Sequence, residues 1–416
     1  MLTAEIIAVG SELLTPERTD TNSLWLTEKL NEIGIEVKLK TIVGDDEMRL
    51  EETIRDAVKR SDIVITTGGL GPTEDDVTRQ VSAKAIDREL VYHTELEDDL
   101  RTRFERWGRE MPEINKRQAY VIDGSDVLPN PNGSAVGMFA RVGEKFLAVL
   151  PGPPRENQPM FIDHVLPHLK EVAGTVFVKR RNLRVVGLGE SALDEAIAPI
   201  YTAYKSVQTS ILFNKTEVEV QISATDTDET AAKRTADELA DKVVEKLGVA
   251  VFSFNGETME EVVGKLLTER GLTVSLAESC TGGLIAERLT DMPGSSKYFL
   301  EGAVTYSNGA KISRLGVKSE TLDRFGAVSA ETAEEMAVGM RERAQTDFAV
   351  SITGIAGPDG GSEEKPVGTV FIALADAEGV RSMKFVFPGD RYLIRWRSSQ
   401  AALDFLRRRI LKANEK

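Results

Sequence analysis

Apolar positions in the first 172 residues follow two alternating rhythms. Glu5-Ile6-Ile7-Ala8-Val9 is a short continuous run, and Glu36–Val43, Asp62–Thr67 and Phe146–Leu150 repeat that pattern, which predicts strands. Between them, Leu24, Trp25, Leu26, Leu30 and Ile33 recur at helical spacing until Gly34, and Glu47 to Arg60 and the stretch from Val77 read as further helices. Strand and helix in alternation predict an α/β layered domain over residues 1–172. Glu95 to Arg109 is dominated by charge and reads as a solvated helix; Asp126 to Gly137 holds too many turn formers to predict regular structure.

The rhythm changes over residues 173–252. Thr175 to Lys179 and Arg181 to Val186 read as two strands, a helix begins at Ser191, Glu217 to Ser223 alternates strictly, and Glu229 to Leu247 is a helix closed by Gly248. A small α+β connector is expected. Residues 253–416 return to α/β, with a helix from Met259 to Arg270 and an apolar run from Leu272 to Ala277. Strands are expected over 302–306, 348–353 and 367–375, and a last helix from Tyr392 to Leu411.

Composition narrows the classes. The 416 residues are 41% hydrophobic and 29% charged, as in globular proteins, and exceed one ordinary core. No apolar run approaches ~18 residues, and Met1-Leu2-Thr3-Ala4-Glu5 lacks the basic and apolar parts of a signal peptide, so a cytoplasmic chain with no membrane partner is expected. One cysteine excludes an internal disulfide. A net charge of −15 argues against nucleic acid as a partner. The three histidines, His93, His164 and His168, all precede residue 169, so residues 169–416 alone cannot build a Ser-His-Asp or Cys-His site or a histidine-ligated zinc.

Candidate chemistry gathers at two glycine-rich turns. In Ala277-Glu278-Ser279-Cys280-Thr281-Gly282-Gly283 a strand gives way to a helix and presents a hydroxyl beside backbone amides. This is a site for an anion or a developing oxyanion, or a plainly capped helix. Without histidine, Ser279 needs another base; a desolvated lysine serves. Lys311 is the candidate, expected at a strand end after Tyr306 and Ser307-Asn308-Gly309, with Tyr306 as proton donor or relay. Cys280 is a rival nucleophile. The loop Thr353-Gly354-Ile355-Ala356-Gly357 and the pair Arg391 and Arg395, a candidate phosphate clamp, complete this set.

The second turn, Thr66-Thr67-Gly68-Gly69-Leu70-Gly71-Pro72-Thr73-Glu74-Asp75-Asp76, follows a strand but is neither a Walker loop nor Gly-x-Gly-x-x-Gly. Its glycines suit close approach to a phosphate, and Glu74, Asp75 and Asp76 suit a divalent cation. Asp20, Asn22 and the pair Asp45-Asp46 read as helix caps or site residues, and Asn132, Ser134 and Gly152 as turn or pocket wall.

These motifs together resemble full-length CinA-type (competence/damage-inducible) proteins. Ala277–Gly283, Val304-Thr305-Tyr306-Ser307-Asn308 with Lys311, and Ser351 to Thr369 resemble the nicotinamide-nucleotide amidase domain of that family. The resemblance implies hydrolysis of nicotinamide mononucleotide to the nicotinate form and ammonia by Ser279 and Lys311, with no cofactor. Thr67–Gly71 and Asp76-Val77-Thr78 resemble the molybdopterin-binding (MoaB/MogA-like) fold, which in this family implies metal-dependent ADP-ribose hydrolysis to AMP and ribose 5-phosphate. After Glu12-Leu13-Leu14 the chain reads Thr15-Pro16-Glu17-Arg18, where relatives usually carry a glycine-containing segment. Residues 173–252 resemble a KH-type connector but lack the Gly-x-x-Gly nucleotide clamp. A homodimeric, bifunctional nucleotide-salvage hydrolase is the expectation. The alternatives are an N-terminal domain that only binds a nucleotide or pterin, and a competence-related adaptor.

Overall fold

A computed structural model of the chain describes residues 2–106 and 108–412. The fold is mixed α/β in two compact units, residues 1–179 with 225–233, and residues 180–224 with 234–416. Among the described residues no helix is long and apolar enough to cross a membrane.

The first unit contains β1 (Thr3–Val9), α1 (Asn22–Glu32), β2 (Glu36–Val43), α2 (Glu47–Arg60), β3 (Ile63–Thr67) and α3 (Thr78–Ala85). A short ribbon, β4 (Leu90–Tyr92) and β5 (Tyr120–Ile122), flanks α4 (Thr94–Arg106). Trp107, inside the helix predicted over 95–109, lies outside the described residues. The unit continues with β6 (Asp126–Leu128), β7 (Gly137–Val142), β8 (Lys145–Leu150), α5 (Pro154–Met160) and α6 (Leu166–Ala173).

The sheet order is β2-β1-β3-β8-β7-β6, parallel through β8 and antiparallel beyond. The continuous apolar runs are its centre: all of β3 is buried, as parallel strands covered on both faces must be. Leu50, Ile54 and Ala57 put one face of α2 into that core, and Asp46 starts the helix by accepting from the Arg49 N–H. Regular structure reaches into the turn-rich stretch 126–137 after all. There β6 pairs Asp126 with Phe139 and Leu128 with Gly137 before the chain turns back.

The connector begins with β9 (Phe177–Val186), followed by α7 (Glu190–Tyr201), β10 (Val207–Asn214), β11 (Glu217–Asp226), α8 (Glu229–Leu247) and β12 (Val251–Ser253). Its sheet order is β10-β11-β9-β12. The two strands expected over 175–186 are one. The strand continues through Lys179, Arg180 and Arg181, with Arg181 paired to Asp237. The alternation of β11 buries Val218, Val220, Ile222 and Ala224. Sequence pattern missed β10, an edge strand that leaves Leu212 and Phe213 exposed.

The remaining elements are α9 (Met259–Arg270), β13 (Val274–Glu278), α10 (Leu284–Thr290), β14 (Phe299–Val304), α11 (Asn308–Leu315), α12 (Ser319–Phe325), α13 (Ala330–Ala344), β15 (Phe348–Gly354), β16 (Thr369–Asp376), β17 (Gly379–Val386) and α14 (Arg391–Lys412). They build a sheet of order β14-β13-β15-β16-β17, in which β13 runs parallel to both neighbours. The core joins Met259, Val263 and Leu267 of α9 to Leu403, Leu406 and Ile410 of α14. Ala333, Met336, Ala337 and Met340 of α13 are also fully buried. Parallel pairing brings the carboxyl ends of β14, β13 and β15 to one edge, where ligands of α/β sheets bind. The strand predicted over 302–306 ends at Val304, so Lys311 stands on the first turn of α11 and not at a strand end.

Candidate active site

The chain leaves β13 at Ser279, tied to both neighbouring strands. The Ser279 N–H donates to the Ile352 carbonyl (3.0 Å), and the Glu278 carbonyl accepts from the Thr305 N–H (2.8 Å). Two left-handed glycines, Gly282 (φ 64°) and Gly283 (φ 97°), then turn the backbone into α10. The Glu278 side chain is buried and points back under this turn. Its carboxylate accepts from the N–H groups of Gly283 (3.0 Å), Ile285 (3.2 Å) and Ala286 (2.9 Å), so the positive end of α10 is satisfied from within. Gly282 was expected among the oxyanion donors; its N–H instead closes the turn onto the Ser279 carbonyl (3.0 Å). The amides of Cys280 and Thr281 take no carbonyl or carboxylate partner among the described residues and face the Cys280 sulfur, a weak acceptor that a ligand oxygen beside Ser279 would displace.

Lys311 reaches this turn from α11, which begins where the Ser307 side chain accepts from the Ala310 N–H (3.2 Å). Its side chain is 1% exposed, and Nζ lies 3.0 Å from Ser279 Oγ and 2.8 Å from the Thr305 carbonyl. Burial holds the ammonium below the ordinary lysine value of 10.5. In the neutral amine the 3.0 Å contact reverses, and the serine hydroxyl donates to the nitrogen lone pair. Burial acts oppositely on Cys280, pushing its thiol up to about 12. A thiol so raised is a poor nucleophile near neutral pH, and the hydroxyl of Ser279, in contact with Lys311, is the better placed of the two.

Tyr306 is 61% exposed, and its hydroxyl accepts from Arg391 Nη2 at 3.1 Å. It stands on the rim and does not relay within the Ser279–Lys311 pair. Arg391 also donates to the Gly357 carbonyl (2.7 Å), whereas Arg395 is bound to the Thr281 carbonyl through Nε and Nη2 (3.2 and 2.6 Å). Arg395 therefore braces the turn, and Arg391 is the freer clamp. Thr353 is buried with its hydroxyl donated to the Ala327 carbonyl (2.7 Å), Gly354 pairs with Val370 in the sheet, Ala356 is buried, and Asn308 is exposed at the start of α11. Sequence pattern overlooked Lys365, whose ammonium bridges the Phe325 and Val328 carbonyls (2.9 and 2.8 Å). Lys311, Lys365, Arg391 and Arg395 are all held by neutral oxygens, with no carboxylate partner among the described residues. In a chain of net charge −15, Arg391 and Arg395, both on the helix that reaches the Ser279 turn and neither neutralised by a carboxylate among the described residues, suit an anionic ligand.

The other glycine turn opens on a cavity of about 830 Å³ in the first unit. Gly68 (φ 109°) lies against the Val9 carbonyl, where an added Cβ would come within 2.2 Å, so only glycine fits. Asp20, Asn22, Gly68, Gly69, Gly71, Asp75, Asp76, Ser134 and Gly152 line the cavity as expected. Asp46, Thr73, Glu74 and Asn132 do not. Asp46 caps α2, and its place is taken by Asp45, which accepts from the Ser11 N–H (2.8 Å). Thr73 bonds Asp76 (2.5 Å), and Asn132 donates to the Arg155 carbonyl (3.0 Å). Glu74 turns away to Arg117 (2.5 Å), so the expected metal trio is not assembled. Among the described residues no three Asp, Glu, His or Cys side chains gather as a ligand set. Asn22 Nδ2 bridges Thr67 Oγ1 (3.0 Å) and the Gly152 carbonyl (2.6 Å), while its Oδ1 is buried without a partner. The rim also carries Glu12, Glu17 and Glu156 against the single cation Arg18.

Comparison with known proteins supplies the context. The model of the CinA C-terminal domain matches residues 256–410, that of a probable molybdopterin-binding domain residues 5–171, and that of the damage-inducible protein CinA KH domain residues 180–253. A CinA-like protein of Solibacter usitatus is 48% identical over 407 residues, covering 98% of either chain. The chain belongs to the CinA family. A putative competence-damage inducible protein of Clostridium kluyveri is 43% identical over 98% of this chain and 100% of its own. Among solved structures, the competence/damage inducible protein CihA of Agrobacterium tumefaciens is 48% identical over 36% of this chain and 93% of its own, with TM-score 0.35. CinA of Thermoplasma acidophilum is 28% identical over 40% of this chain and 97% of its own, with TM-score 0.38.

Within this CinA-family chain, Glu156 on the cavity rim and Glu278 beneath the Ser279 turn are the site residues that sequence pattern had left unassigned. A signal existed for Glu278, a lone acid in an otherwise apolar strand. Such a residue must find donors on burial.

Proposed function

We propose that the C-terminal domain hydrolyses the carboxamide of an anionic nucleotide, nicotinamide mononucleotide, by a serine–lysine mechanism. The observation that carries the reading is the buried Lys311 Nζ at 3.0 Å from Ser279 Oγ. Neutral Lys311 takes the hydroxyl proton as Oγ attacks the amide carbon, and the resulting oxyanion rests between the Cys280 and Thr281 amides. Collapse breaks the C–N bond, the leaving nitrogen takes the proton from Lys311, and ammonia departs. Water then attacks the ester, Lys311 accepting its proton, and Ser279 is regenerated as the carboxylate product leaves. Arg391 is the expected partner of the 5′-phosphate. The test is ammonia release from nicotinamide mononucleotide by the full chain, lost in folded Ser279→Ala and in Lys311→Ala. Turnover retained in Ser279→Ala refutes the mechanism.

For the N-terminal domain we propose nucleotide binding in the glycine-loop cavity, with ADP-ribose as substrate. Supporting it is a cavity of about 830 Å³ at the carboxyl ends of parallel strands, with glycine backbone and the unpartnered Asn22 Oδ1 in its wall. The trio Glu74, Asp75 and Asp76 does not fit as a ready metal site, so no step is derived through a metal. Product analysis with ADP-ribose, beside calorimetric binding, separates hydrolysis from binding alone.

A further inference from the structure

The helix that carries Arg391 and Arg395 also touches the connector, through residues the mechanism leaves unused. Trp396, next to Arg395, lies between two cations: Lys215 of the connector at 4.4 Å from its ring centroid and Arg288 of α10 at 4.6 Å. Arg288 is 4% exposed and donates to Ser399 Oγ (2.7 Å), Gln400 Oε1 (2.6 Å) and Glu260 (2.7 Å), binding α10 to α14 and α9 at once. The Gln400 amide in turn donates to Glu217 (3.1 Å), which also accepts from Arg184 (2.9 Å). Lys215 and Glu217 belong to the β10–β11 hairpin, whose register joins Asn214 to Glu217 across the two-residue turn Lys215-Thr216. Lys215 takes the left-handed conformation (φ 51°) that turns usually give to glycine or asparagine. A charged side chain held there, directly over a tryptophan face, points to a job for the side chain.

These contacts close a circuit. From the Ser279 turn α10 leads to Arg288, Arg288 leads to Gln400 and Trp396 on α14, and Arg395 returns from α14 to the Thr281 carbonyl of the same turn. The hairpin meets this circuit at Trp396 and Gln400. We propose that Lys215 and Glu217 of the connector are positioning residues for the amidase site, fixing α14 so that Arg395 holds the Thr281 peptide and Arg391 faces the substrate anion. The connector is then a part of the C-terminal catalytic machinery rather than a spacer. This inference rests on the serine–lysine reading of that site.

Its test uses the full chain. Lys215 is exposed at a hairpin tip, so Lys215→Ala is expected to fold, alone or combined with Glu217→Ala. The double variant should lower kcat for ammonia release by about tenfold with a smaller rise in KM, since misplacing a turn by fractions of an ångström costs rate more than binding. Lys215→Arg, which keeps a cation over the indole, should retain the wild-type rate where Lys215→Ala loses part of it. Hydrogen–deuterium exchange supplies a readout that needs no substrate: residues 279–290 should exchange several-fold faster in the double variant than in the wild type. Faster exchange confined to the hairpin, with residues 279–290 and kcat unchanged, overturns the proposal. The two ideas fail separately. Absence of ammonia release by the wild-type chain refutes the amidase reading, whereas the exchange result still decides whether the hairpin fixes the turn.

Discussion

The chain builds two sites from one local plan, a parallel strand that runs through glycines into a helix, and finishes them differently. At Ser279 the neighbouring acid is buried and turned inward, where Glu278 absorbs three amides, while those of Cys280 and Thr281 face only the Cys280 sulfur. Lys311 already touches Ser279. At Gly68–Asp76 the acids face outward or are engaged elsewhere, Glu74 by Arg117 and Asp76 by Thr73, around a wide cavity whose polar wall atoms are partly unmatched. The first site is organised before substrate arrives; the second has binding surface without an assembled catalytic group. Preorganisation, not motif shape, separates them.

The sharpest way to break this contrast is at Ser279 and Lys311. Ser279→Ala or Lys311→Ala should each lower ammonia release by about a thousandfold or more, and losses in the double variant should not add, because the two act as a unit. In the first unit Asp76→Ala should weaken ADP-ribose binding by about tenfold, because Asp76 accepts from the Thr73 N–H (3.0 Å) and hydroxyl and so orders the loop. Glu74→Ala, which breaks only an exposed pair, should change binding little. Calorimetry of both variants distinguishes the two acids, and equal losses would restore the adjacent-acid site.

Lys311 allows a stability test whose sign is fixed by burial. Its folded-state pKa lies below 10.5, so between those values the unfolded chain holds more protons and wild-type stability rises with pH. Lys311→Met should therefore melt higher than wild type near neutral pH, with the gap narrowing as pH rises through the lowered pKa. Wild-type ammonia release should increase over the same window as the neutral amine accumulates. A Met variant that melts lower at neutral pH would mean that the lysine is not desolvated. The smallest effect is expected at the thiol: with its pKa near 12, Cys280 should resist iodoacetamide at neutral pH and activity should survive the reagent.

Much of this was legible in residue pattern because it follows from periodicity. The helices Glu47–Arg60, Glu229–Leu247 and Met259–Arg270 have the predicted bounds, each marked by a cap, a glycine or a clear apolar stripe. Edge strands were harder, and β10 escaped because its apolar residues face both ways. The Ser279–Lys311 pairing was inferred from the absence of histidine, and it holds in space. The role of Tyr306 was not, since a phenol beside a motif lysine reads the same whether it faces the base or, as here, an arginine on a helix 85 residues away. The acid trio failed for a related reason. Adjacency in sequence sends consecutive side chains in different directions, and ligand sets come from residues brought together by folding.

The filled end of α10 has a consequence for selectivity. A free helix amino end is a general trap for small anions, and a hydrolase working among phosphates and carboxylates would be clogged by them. Here the resident Glu278 carboxylate keeps that trap permanently shut. On the proposed amidase reading, a negative group would be met at the outer arginines, while the turn itself would take an uncharged carbonyl. The ligand would then be measured as a span, neutral at one end and anionic at the other, and a product bearing charge at both ends would be favoured to leave.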